Sequence, residues 1–203
     1  MDYFPVTINQ LPTGYTAESL LEHIRTNINS FTNDDAHFQP YSGLTGESAL
    51  WNSANPLRAV LTIDLTPHDG SVITTADENN KWIFSVIRSP LDTHHPVSGN
   101  REFGFRNNPD GSYTFYTKGV DRIRQPAASF FRDAINFGFD FDLMDLADQL
   151  WFSFQDEIKK FVDQKGGSST IPTIRNQGDR PDWDKVEQFL NGEITLNELR
   201  NDC

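Results

Sequence analysis

Cysteine is almost missing. The single one, Cys203, rules out an intramolecular disulfide and a thiolate zinc centre. Methionine is nearly as scarce, 2 residues against 16 phenylalanines, which points to a stiff aromatic core. Basic residues are outnumbered 17 to 29, for a net charge of −12. A non-specific nucleic-acid binder needs a basic footprint, and anionic lipid repels an acidic chain, so neither partner is expected. No run nears the roughly 18 apolar residues of a membrane helix, so no insertion is expected either. The opening MDYFPVTINQLPTG lacks a basic segment followed by an apolar stretch, so no Sec-type signal is expected. A reducing, cytoplasmic setting is the expectation, and export without a cleaved signal would leave no trace.

Catalytic signatures are missing too. There is no G-x-S-x-G elbow, no P-loop, no Rossmann glycine pattern, no H-E-x-x-H and no EF-hand loop. No cofactor is expected. His68, Asp69, Asp92, His94 and His95 are metal-ligand types, but adjacent side chains in an extended chain point apart, so no metal site is assigned.

What the chain does have is a strong hairpin. Asn108-Pro109-Asp110-Gly111 is a turn signal: Pro presets φ, Asp suits the next position, and Gly takes the left-handed one. That turn sets a register in which Phe105 faces Phe115, Gly104 faces Tyr116, Glu102 faces Lys118 and Arg101 faces Gly119. One face then carries Phe103, Phe105, Tyr113 and Phe115, and on the other a tyrosine covers a glycine.

Around the hairpin the pattern reads as strands at 3–9 (at an edge, because of Pro5), 58–65, 71–75, 81–89, 100–107 and 112–118. A turn at Pro67–Gly70 and a polar loop at 76–80 separate the middle ones. The 81–89 strand is apolar at both parities, so it should be central and covered on both faces. Helices are expected from Thr16 to Phe31, from Pro126 to Phe137, and from a cap at Asp142 through 143–164. Residues 32–57 are irregular, with one helical turn at 47–52 and Trp51 capping the core. The fold class is α+β: an antiparallel β-meander of about five strands packed against helices, with a small helical C-terminal appendage. The domain reading is a 1–165 core, a 166–181 linker and a 182–203 appendage.

Charge is uneven. Seven of the 17 bases lie between 81 and 124, against four acids there, whereas 140–163 holds seven acids and two bases. The loop Asp92–Arg101 is the densest cluster of reactive types. In the hairpin register His95, Ser98, Arg101, Asp121 and Arg122 meet at one end of the sheet. Two functions fit. One is a binding or interaction domain in which 90–101 and 119–124 hold a small or anionic ligand, or a protein partner, through His95, Arg101 and Arg122. The other is a small effector-like hydrolase or transferase with His95 as base and Ser98 or Asp121 assisting. The plainer alternative is an Arg–Asp pair that closes the sheet end. Oligomeric state has no signal in the sequence.

Overall fold

The computed structural model describes residues 1–33, 36–65, 68–92, 95, 97–123, 143–178 and 183–201. Its fold is α+β. One antiparallel sheet of eight strands carries helices against one face, called here the inner face.

The expected five-strand meander forms its centre: β3 (Val60–Leu65), β4 (His68–Glu78), β5 (Lys81–Ile87), β6 (Val97–Asn107) and β7 (Tyr113–Ile123), each paired with the next. Three further strands extend it. Short β2 (His37–Pro40) pairs with β3, β1 (Asp2–Gln10) pairs with β7, and β8 (Ser168–Thr170) pairs with β1.

The hairpin register is the one the turn specifies. Phe105 pairs with Phe115, Gly104 with Tyr116, Glu102 with Lys118 and Arg101 with Gly119. Phe103, Phe105 and Phe115 are buried, and the Phe105 and Phe115 rings stack at 5.2 Å between centroids. On the outer face the Tyr116 hydroxyl lies over Gly104 and donates to Glu102 at 2.7 Å.

Several boundaries differ from the expected ones. β4 runs through the segments read as a turn and a polar loop. A bulge between Thr74 and Ala76 shifts its register, so the alternation that identifies a strand breaks midway. β6 and β7 both extend past the aromatic part of the hairpin, where polar residues and glycine hide the strand pattern. β5 is central but buried on its Trp82 and Phe84 face only, with Ile83 and Ser85 half-buried on the other. β1 is not an edge strand. Pro5 is tolerated because its backbone points away from β7, where no ladder donor is needed and its carbonyl accepts from Gln155 Nε2 at 2.8 Å.

Helix α1 (Ala17–Thr26) starts at Thr16, which shares a reciprocal cap with Ser19, and ends before a 3-10 turn at Ile28–Ser30. Leu20, Ile24, Ile28 and Phe31 are all buried, and α2 (Glu47–Trp51) brings Trp51 into the same core. The long α3 (Leu143–Gln164) lies on the inner face, with Leu150, Trp151, Phe154, Ile158 and Val162 buried against Phe4 and Phe103. The helix expected at 126–137 and the cap at Asp142 fall outside the described residues.

Residues 166–178 are not a free linker. Besides β8, Gln177 N donates to Tyr3 O at 2.7 Å, and Tyr3 N donates to the Asn176 side chain at 3.2 Å. Arg175 donates to Gln155 Oε1 at 3.0 Å and pairs with Asp156 at 2.9 Å. The Gly-Gly pair read as a linker ends α3 and turns the chain onto the open edge of β1. Beyond it follow α4 (Trp183–Leu190) and α5 (Leu196–Asn201), with the expected reciprocal cap between Thr195 and Glu198. None of their described side chains is buried, and Leu190 is 69% exposed.

Candidate functional site

Strand alternation puts Val97, Gly99, Arg101 and Phe103 of β6 on the inner face, with Asp121, Gly119 and Thr117 of β7 opposite the last three. The aromatic core fills that face at Phe103 and Phe105. One pair further along, it becomes charged. Arg101 Nη2 donates to Asp2 Oδ2 at 2.8 Å and to Asp121 Oδ2 at 3.1 Å, and its guanidinium lies over the Trp151 ring of α3, 4.1 Å from the centroid. Asp2 Oδ1 accepts from the backbone N–H of Gly119 at 2.9 Å.

Glycines make this arrangement possible. Arg101 lies across Gly119, and Asp121 lies across Gly99; a Cβ at either glycine would collide with the charged group above it. Each member of the cluster therefore has a side-chain-free partner on the neighbouring strand. Arg101 keeps only 11% of its side chain exposed. Two carboxylates share one guanidinium, and the N-terminal ammonium adds a second positive charge acting on Asp121. Burial holds the Asp121 carboxyl above the usual range; Arg101 opposes that shift and Asp2 adds to it.

His95 lies on the same face but two strands away. It packs on Gly70 of β4, where an added Cβ would strike the imidazole, and Val97 N donates to its Nδ1 at 3.3 Å. Burial pushes its pKa down to about 4, against a smaller upward effect of the Val97 backbone, so the ring is neutral near pH 7. The loop before it is fixed on the outer face, where Asp92 Oδ2 accepts from Thr62 Oγ1 at 3.0 Å and from Ser71 Oγ.

Ser98 and Arg122 pair with each other across β6 and β7 and are exposed on the outer face. Of the five residues expected at this end, Arg101 and Asp121 are in contact, His95 shares their face, and Ser98 and Arg122 point the other way. The missed members are Asp2, Thr117 and Trp151. Between His95 and Arg101 the inner face is only partly covered: Val86, Val97 and Gly99 are half-buried. Among the described residues no group of three or more His, Cys, Asp or Glu is placed to hold a metal ion, and no helix is long and apolar enough to cross a membrane.

The class this defines is an α+β domain in which one antiparallel sheet packs its inner face against a long helix. No protein-family model matches the chain, and no curated protein matches it in sequence. Solved structures are similar to it at low identity. The di-domain ARO/CYC StfQ from the steffimycin biosynthetic pathway is similar over 81% of this chain and 51% of that one, at 11% identity and a TM-score of 0.49. This chain thus spans about half the length of StfQ. A conserved protein from Geobacillus kaustophilus is similar over 83% of this chain and 99% of its own, at 11% identity and a TM-score of 0.46. A Staphylococcus epidermidis protein is similar over 80% and 89%, at 12% identity and a TM-score of 0.40.

Proposed function

We propose that the chain is a binding domain that holds a small ligand on the inner face, along Val86, Val97 and Gly99, between His95 and the Arg101–Asp121 pair. One observation carries the reading. A half-covered apolar strip runs beside a buried charge cluster at the point where the aromatic core stops. Few, converging polar groups at the edge of an apolar surface are the usual make-up of a ligand site. The ligand this suits has an apolar body and a neutral or cationic polar group. Arg101 is already held by two carboxylates, and Arg122 lies on the outer face, so an anion finds little support here. A hydrolase built on His95 and Ser98 finds less, because the two residues occupy opposite faces and a base with a pKa near 4 drives proton transfer poorly at neutral pH.

Titration with 1-aminoanthracene, a neutral fluorescent probe, tests the reading. Val97→Trp should fill the strip and weaken probe binding about tenfold or more while leaving the melting temperature close to that of the parent. Undiminished probe binding by a folded Val97→Trp protein would remove the site.

A further inference from the structure

The outer face of the β6–β7 hairpin runs against the charge of the molecule. Parity puts Glu102 and Arg106 of β6 and Lys118, Val120 and Arg122 of β7 on it. Three bases thus meet one acid there, in a chain of net charge −12. The acid is already engaged: Glu102 accepts from the Tyr116 hydroxyl and pairs with Lys118 at 3.0 Å. Arg106 and Arg122 make no ion pair among the described residues. Val120, flanked on its strand by Lys118 and Arg122, is 63% exposed.

The last two helices have the opposite make-up. Residues 183–201 hold four acids and two bases. α4 and α5 pack on each other, and helical spacing puts Val186, Phe189 and Leu190 on one side of α4. Yet Leu190 is 69% exposed and Leu196 52%. Large apolar side chains left open on two adjoining short helices mark a face built to be covered.

The chain path brings the two surfaces within reach of each other. Gly178 packs on the backbone of Asp2, and Asp2 pairs with Gly119, the residue before Val120. The five residue steps from 178 to 183 span about 17 Å at full extension, and neighbouring strands lie about 4.8 Å apart. The start of α4 can therefore reach β7 and β6. A tether this short gives an effective concentration of about millimolar, so a contact too weak to join two separate chains suffices within one.

We infer that the α4–α5 pair docks on the outer face of its own chain, with Leu190 on Val120 and the acidic surface of the pair against Lys118 and Arg122. A second copy fits less well, because two outer faces of like charge repel and separate chains lack the tether. The surface lies on the side of the sheet opposite the Val97 strip, so either can fail without the other.

The test uses Cys203, the only thiol, which lies two residues beyond α5 and takes a nitroxide spin label. In the intact labelled chain the Val120 methyl resonances should broaden, while those of Val60, four strands away, stay sharp. Leu190→Asp and Arg122→Glu, both at exposed positions, should keep the melting temperature and each remove more than half of the broadening. A mixture of spin-labelled chains with isotope-labelled chains that carry no nitroxide should show none. Val120 methyls that stay sharp, that broaden equally in the mixture, or that broaden undiminished in Leu190→Asp or Arg122→Glu overturn the assignment.

Discussion

Arg25 and Arg101 are both largely buried and both lie over a tryptophan, Trp51 and Trp151 respectively, yet they are neutralised in different ways. Arg25 binds locally. It bonds Glu22 one turn back on its own helix, and it donates to the backbone carbonyls of Trp51 and Ser53. Glu22 keeps 52% of its side chain exposed, so water shares the cost of that pair. Arg101 binds at long range, to Asp2 from β1 and Asp121 from β7, and both carboxylates are largely shielded. The first arrangement ties α1 to the loop after α2. The second gathers two carboxylates, the guanidinium and the influence of the N-terminal ammonium at the edge of an apolar face.

The sharpest way to break this contrast is to remove what holds Asp2. Deleting 167–203 takes away β8 and the bonds from Asn176 and Gln177 to Tyr3, and it uncovers the backbone of Asp2 on which Gly178 packs. Cooperative thermal unfolding should be lost. Deleting only 179–203 removes helices with no buried described side chain and should leave the melting transition in place, which puts the domain boundary near 179.

Next in size is the arginine comparison itself. Arg101→Met removes the guanidinium that both shielded carboxylates bond and should cost about 3–5 kcal/mol in denaturant titrations. Arg25→Met frees an already solvated Glu22 and two carbonyls and should cost less, about 1–3 kcal/mol. Equal or reversed costs would abolish the distinction. Adding Asp121→Asn to Arg101→Met should recover part of the loss, because one buried charge is then gone.

His95 contributes through pH. Its folded pKa, about 4, lies below the unfolded value of 6.5, so between those values the unfolded chain binds the extra proton. Stability attributable to His95 should therefore fall as pH drops from 6.5 to 4, by about 3 kcal/mol in all, and His95→Leu should flatten that slope. Asp121 acts in the opposite sense. Its raised pKa makes the folded chain take up its proton first, so acidification through that value restores stability, and the slope seen in Arg101→Met/Asp121→Asn should be steeper.

The sequence discloses the centre of this molecule better than its edges. Asn108–Gly111 fixes a turn, the turn fixes parity, and parity alone puts Arg101 over Gly119 and Asp121 over Gly99. The same parity sends Arg122 and Ser98 outward, because neighbours on a strand face opposite ways; grouping them with Asp121 by sequence proximity ignored that alternation. Asp2 was out of reach of any local pattern, since it meets Arg101 across 99 positions of chain. Short β2 and β8 carry too few residues for a periodic signal, and the Gly-Gly before β8 signals a linker and a tight turn equally well.

The strip beside Arg101 can be tested directly by methyl NMR during titration with 1-aminoanthracene. The Val86 and Val97 methyls on the inner face should shift together and saturate, while those of Val60 and Val120 on the outer face stay in place. Shifts confined to the outer face, or none at either valine of the strip, would contradict a ligand site there.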